Sequence, residues 1–185
     1  MADASRTFRA ITLKGRGDAV PRFSIPEGSV AIAMITHQGS DGNFCVWTID
    51  SHGNLTDLLA NVIGSYQGTR LFDKSDHSVA FKVEADGNWT IVVSPLEAAY
   101  RWDGTGTLKR RGSDVIVLPT PTGGLTSAKI THQGSENFTV FGYSGTGGDL
   151  LVNEIGRYRG EVLLAEGTSV LELEADGPWT IALRR

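Results

Sequence analysis

The chain has 185 residues, 40% of them hydrophobic and 21% charged, with a formal net charge of −4. A mildly acidic chain has no electrostatic reason to seek phosphate backbones, so a nucleic-acid partner is not expected. No apolar run approaches the ~20 residues of a membrane span, and the single cysteine, Cys45, excludes an internal disulfide.

The N-terminal Met-Ala-Asp-Ala-Ser-Arg has no apolar segment and does not read as a signal peptide, so a cytoplasmic location is the default expectation, with signal-independent export as the alternative. Gly15-x-Gly17 lacks a following helix and reads as a turn. His37-Gln38 falls at a strand end, just before Gly39-Ser40. Asn43 to Ile49 alternates as a strand does: Phe44 and Val46 point one way, Cys45, Trp47 and Ile49 the other. Leu55 to Ile63 is the best helical stretch, but its Asn and β-branched residues predict no more than a turn. Val79, Phe81 and Val83 alternate towards Asp86-Gly87, which supplies the positive φ of a tight hairpin turn, with Trp89, Ile91 and Val93 inward on the return strand. Pro95 to Tyr100 is a second short helical candidate. Gly104-x-Gly106 reads as another turn. The basic runs Lys109-Arg110-Arg111 and Arg184-Arg185 read as solvated strand or turn ends.

From there the pattern starts again. Ile35-Thr36-His37-Gln38-Gly39-Ser40 recurs unchanged as Ile130-Thr131-His132-Gln133-Gly134-Ser135. Thr12-Leu13-Lys14 matches Thr107-Leu108-Lys109, and Asn43-Phe44-x-Val46 matches Asn137-Phe138-x-Val140. Asp57-Leu-Leu-x-Asn61-x-Ile63-Gly64-x-Tyr66-x-Gly68 matches Asp149-Leu-Leu-x-Asn153-x-Ile155-Gly156-x-Tyr158-x-Gly160. Glu84-Ala-Asp-Gly-x-Trp89-Thr-Ile matches Glu174-Ala-Asp-Gly-x-Trp179-Thr-Ile. Matches that stay in order mark a duplication, with one copy over residues 7–94, the other over 102–185 and a link from Pro95 to Arg101. In the second copy Phe138 and Val140 share the repeated core face, Ser169, Leu171 and Leu173 alternate, and Trp179, Ile181 and Leu183 point inward. Short strands with 23 glycines between them predict an all-β chain. The expected fold is two tandem antiparallel β-sandwiches of jelly-roll-like type, related by internal duplication. Copies of about 90 residues are marginal alone and are expected to pack on each other.

No catalytic signature is present: no Gly-x-Ser-x-Gly elbow, P-loop or dinucleotide glycine pattern. The expectation is a chain that is not an enzyme and takes no cofactor. The candidate ligand-binding residues are His37, Gln38, His132 and Gln133, whose imidazoles and carboxamides offer directional donors and acceptors. Trp47, Phe141 and Tyr143 join them as stacking residues for a sugar face or a partner side chain. Turn geometry and burial are the competing explanations for each group. Asn61/Asn153 and Tyr66/Tyr158 are candidate pocket liners, and Trp102 a candidate packing residue by the link. Asp50, His52, Asp73, Asp76 and His77 occur in the first copy only, and their spacing fits neither an EF-hand nor a zinc motif, so no metal site is expected. Cys45, mid-strand, reads as an apolar filler.

The pattern His-x-Gly…Asn-Phe-x-Val…Asp-Leu-Leu-x-Asn-x-Ile-Gly-x-Tyr-x-Gly…Ala-Asp-Gly-x-Trp-Thr-Ile resembles a repeat of uncharacterised actinobacterial proteins, where it forms one β-domain at the C-terminus of secreted or membrane-anchored chains. Here it covers nearly the whole chain twice. The resemblance implies a β-domain and carries no activity. The leading expectation is a non-enzymatic binding module for a carbohydrate or protein ligand, with two equivalent displays for avidity. The alternatives are a subunit of a larger assembly or homo-oligomer, and a small-molecule site or enzyme between the copies using His37 and His132.

Overall fold

A computed structural model describes residues 7–74, 77–145 and 147–185. The chain divides between Ala98 and Ala99 into two compact units. The first holds β1 (Ile11–Arg16), β2 (Ala31–Gln38), β3 (Asn43–Asp50), β4 (Leu55–Ile63), β5 (Tyr66–Phe72), β6 (Ser78–Glu84) and β7 (Asn88–Pro95). They form two antiparallel sheets, ordered β1-β7-β2-β5 and β4-β3-β6. Residues Ala19 to Phe23 extend the second sheet, since Ala19 and Val83 exchange backbone hydrogen bonds and Phe81 N–H reaches Pro21. With that segment as the eighth strand, the order is that of a jelly roll.

A 3-10 turn, Leu96–Ala98, follows. The second unit holds β8 (Tyr100–Arg101), β9 (Leu108–Arg111), β10 (Asp114–Val117), β11 (Thr126–His132), β12 (Asn137–Ser144), β13 (Gly147–Ile155), β14 (Tyr158–Leu164), β15 (Val170–Glu174) and β16 (Pro178–Arg184). Its sheets are β9-β16-β11-β14 and β13-β12-β15-β10, with β8 added parallel on β10. Apart from β8 this is the same jelly-roll order. The expected link is not a free segment: Pro95 closes β7, and Tyr100 and Arg101 form β8.

Each core lies between its two sheets, where the apolar residues of alternating strands meet. In the first unit Ile35, Phe44, Val46, Phe81, Trp89 and Ile91 interlock; in the second Ile130, Phe138, Val140, Leu173, Trp179 and Ile181 do. Trp89 Nε1 donates to Gly17 O at 2.9 Å and Trp179 Nε1 to Gly112 O at 2.8 Å, so each buried indole is satisfied within its unit. Trp102 is also buried and joins the core of the second unit.

Three expectations are corrected. The strands on either side of Asp86-Gly87 are not a hairpin: β6 pairs with β3 while β7 pairs with β1 and β2, so the turn carries the chain from one sheet to the other, as Asp176-Gly177 does between β15 and β16, and neither Gly87 nor Gly177 has a positive φ. Leu55 to Ile63 is a full strand rather than a turn, because Leu59 and Ala60 are needed as core residues. Gly15 lies within β1, paired with Trp89, and a Cβ there would meet the indole ring. The turn begins only at Gly17, whose φ is 70°.

The pairing of β3 with β4 slips between Val46 and Trp47, and that of β12 with β13 slips between Val140 and Phe141. The extra residue is Leu59 in one unit and Leu151 in the other. Such a β-bulge bends the strand and re-aims its side chains.

Candidate functional site

The hexapeptide sits at the end of β2, where the strand leaves its sheet. Alternation turns Ile35 and His37 into the core and Thr36 and Gln38 outward. His37 is 2% exposed and stacks on Phe44, ring centroids 4.2 Å apart and nearly parallel at 4°. Its Nδ1 donates to Gly64 O at 2.8 Å. Its Nε2 lies 3.2 Å from Asp86 Oδ1 without an aligned hydrogen bond. His132 repeats every contact: a 4.2 Å stack on Phe138, Nδ1 to Gly156 O at 2.7 Å, and Nε2 3.2 Å from Asp176 Oδ1.

Each aspartate ties the hexapeptide to the inter-sheet turn before the tryptophan strand. Asp86 Oδ2 accepts from Ser40 N, Ser40 Oγ and Gly42 N, all at 3.1 Å. Asp176 Oδ2 accepts from Ser135 N at 2.8 Å and from Ser135 Oγ and Glu136 N at 3.2 Å. Gly39 and Gly134 leave room for this network: a Cβ at either would land on the aspartate carboxylate and the imidazole. The repeat therefore has a fold reason at Ile130, His132, Gly134 and Ser135. It has none at Gln38 or Gln133, which are exposed and make no side-chain hydrogen bond.

The hydrogen bond from Ser40 N, with those from Gly42 N and Ser40 Oγ, holds the Asp86 carboxyl below its usual range against the opposing effect of burial. At Asp176 partial burial pushes the carboxyl up, but the donors of Ser135 and Glu136 outweigh it and the net shift is downward. A carboxyl depressed in the folded state stabilises the fold above its unfolded pKa, and that contribution is lost as pH falls through the folded value. Lowering the pH below about 4 is therefore expected to lower the thermal midpoint of the wild type more than that of an Asp86→Asn/Asp176→Asn variant. Melting curves between pH 6 and pH 3 check this, with equal slopes as the contrary result.

The aromatic candidates lie elsewhere. Trp47 and Phe141 stand on the outer face of the second sheet of their units, each immediately after the bulge. Trp47 is half-buried, with Lys82 Nζ 4.9 Å from its ring centroid, and shares its face with Leu58 and Asn61 of β4. Phe141 stacks on Tyr143 at 6.1 Å, and Tyr143 OH donates to Glu172 Oε2 at 3.0 Å. Asn153 and Glu174 flank Thr139 on the same face. The structure thus groups Trp47 with Asn61, and Phe141 with Tyr143 and Asn153, but puts none of them with the buried histidines of the core.

The other candidates are occupied. Asn61 Oδ1 accepts from Cys45 Sγ at 3.2 Å, and burial pushes the Cys45 thiol up, away from a reactive thiolate. Tyr66 and Tyr158 pack on the cores. Asp50 caps its own turn through the backbone of His52 and Asn54. Asp73, at φ 59°, accepts from Ser78 N. Asp76 lies outside the described residues. Among the described residues no three His, Cys, Asp or Glu groups are placed to hold a metal, and no helix is long and apolar enough to cross a membrane.

Comparison with known proteins adds coarse likeness. No family model matches the chain, and no curated protein matches it. Among solved structures, the tandem CBM22 domains of Paenibacillus barcinonensis Xyn10C are 11% identical, at a TM-score of 0.32 over 92% of this chain and 84% of that one. A conserved protein of unknown function from Pseudomonas aeruginosa is 11% identical, at 0.28 over 100% and 85%. A cupin 2 conserved barrel domain protein from Leptotrichia buccalis is 9% identical, at 0.27 over 98% and 91%.

Proposed function

We propose that the chain is a non-enzymatic binding module whose two units each offer an aromatic platform to a carbohydrate. The observation that carries this reading is an aromatic ring on the outer face at the same place in both units, Trp47 and Phe141, opposite the bulge of the neighbouring strand at Leu59 and Leu151. Alternation along β3 and β12, with Phe44, Val46, Phe138 and Val140 in the core, turns each ring outward. It stands there beside polar groups. Lys82 and Asn61 adjoin Trp47, while Glu172 and Asn153 adjoin Phe141 and Tyr143. A sugar ring presents an apolar face for stacking and a rim of hydroxyls for hydrogen bonds, which such a platform matches.

The histidines do not contribute to this reading, since each imidazole is buried and stacked inside its unit. Two platforms on one chain raise avidity for a polymer without new contacts. A glycan array compares the wild type with a Trp47→Ala/Phe141→Ala variant. Binding that drops by about tenfold or more in the variant is expected, as losing one stacked ring costs about 1 kcal/mol beyond area. No binding by the wild type at about millimolar glycan, or undiminished binding by the variant, would overturn the sugar reading.

A further inference from the structure

Most basic residues of the second unit collect on a single surface that the aromatic platform does not use, whereas Arg110 turns to Asp114 and Tyr100. The inner face of the sheet β9-β16-β11-β14 buries Leu108, Ile130, Trp179 and Ile181. Alternation puts Lys109, Arg111, Lys129, Arg159 and Arg184 on the outer face. One continuous row crosses the sheet as Lys109–Thr180–Thr131–Arg159. Its two central hydroxyls are 2.7 Å apart and its ends are cationic.

At the Gln133 end of the same sheet a cleft of about 390 Å³ opens between Arg111 and Arg157, with the backbone of Gly134 and Gly177 in its wall. Its one carboxylate, Asp176, is already engaged by Ser135, Glu136 and His132. Glu161, the acidic residue of the outer face, accepts from Ser127 Oγ at 2.7 Å and faces Arg184 at 3.5 Å. Lys109, Arg111, Lys129, Arg157 and Arg159 pair with no carboxylate among the described residues. Five cations against one acid on this face contrast with a chain whose net charge is −4.

The first unit repeats the frame without the charge. Lys14, Arg16, Thr36, Gln38 and Thr90 keep their places, but Met34, Ser65 and Gln67 stand where the second unit has Lys129, Arg157 and Arg159. The extra guanidiniums and ammonium belong to the second unit, and Gln133, which the fold does not explain, sits among them.

We propose that this outer face and its cleft bind an acidic polysaccharide. Guanidinium groups take carboxylate or sulfate oxygens in paired hydrogen bonds. The hydroxyls of Thr131 and Thr180 and the Gln133 carboxamide suit the sugar hydroxyls between them. The face has no aromatic residue on which a base could stack.

The test is binding of the full chain to polygalacturonate and to dextran sulfate, with neutral dextran as control, at about 20 mM and about 150 mM salt. Binding to an acidic polymer that weakens with salt is expected, with none to dextran. A Lys109→Gln/Lys129→Gln/Arg159→Gln variant is expected to lose about tenfold or more in affinity and to show a shallower salt slope. A Lys14→Gln/Arg16→Gln variant of the first unit stays within about twofold, because it lacks the cluster to lose. Trp47→Ala/Phe141→Ala also leaves this binding intact, which separates it from the platform reading. Absence of binding at low salt, full affinity in the triple variant, or tighter binding to double-stranded DNA than to either polysaccharide would overturn the assignment.

Discussion

Replacing His132 by alanine is expected to destabilise the second unit by about 3 kcal/mol and to leave ligand binding by the folded protein unchanged. The ring is 1% exposed, so its removal opens a cavity against Phe138 and strips that phenyl of its stacked partner. It also takes from Gly156 O, a part-buried acceptor at 2.7 Å, its imidazole donor. His132→Phe keeps the stack and the volume but not the donor, and is expected to cost less, about 1–2 kcal/mol. Urea unfolding, with hydrogen exchange across β11 to assign the loss to its unit, reads both values. Unchanged stability together with lost binding would reassign His132 to a ligand contact. The same substitutions at His37, against Phe44 and Gly64, are expected to act on the first unit in the same way.

The all-β architecture was legible because its signals are local. Alternation in Asn43–Ile49 places Phe44 and Val46 inside, and Asp86-Gly87 and Asp176-Gly177 mark the turns before the buried Trp89 and Trp179, though not that each turn changes sheets rather than closing a hairpin. Leu55–Ile63 was not legible as a strand, because its bulge makes two successive residues, Leu59 and Ala60, face the core and breaks the two-residue period. The residues around the histidines divide by distance along the chain. The Gly-Ser turn is visible in the hexapeptide itself. The Asp86 carboxylate that Ser40 engages lies 46 residues away, and only the meeting of the β2 end with the turn before β7 joins them. The basic face was hidden for the same reason. Lys109, Lys129 and Arg159 are scattered in the chain and share a face only once four strands are in register.

A methyl group at Gly87 tests whether that meeting holds the first unit together. The Gly87 Cα faces the carbonyl of Gln38, and an added Cβ would fall on Gln38 O, with Gly39 Cα 3.0 Å away. Both obstacles are backbone, so no side chain can rotate aside and one of the two segments must move. Moving the Asp86-Gly87 turn carries Asp86 away from Ser40 and Gly42, and away from His37. Moving the end of β2 draws His37 off Phe44 and Gly64. Either displacement adds lost hydrogen bonds to the overpacking itself, and Gly87→Ala is expected to cost about 3 kcal/mol or more. Gly177→Ala meets Gly134 N at 2.6 Å and Gly134 Cα at 2.7 Å, so the second unit is expected to respond alike. Gly53→Ala is the control for the method: its φ of 86° strains any side chain, but a Cβ there meets nothing. Its cost is that of backbone strain, about 1–2 kcal/mol. If Gly87→Ala were no more damaging than Gly53→Ala in equilibrium unfolding, the contact between the hexapeptide and the Asp86-Gly87 turn would be incidental. Both halves of the repeat would then need a reason outside the fold.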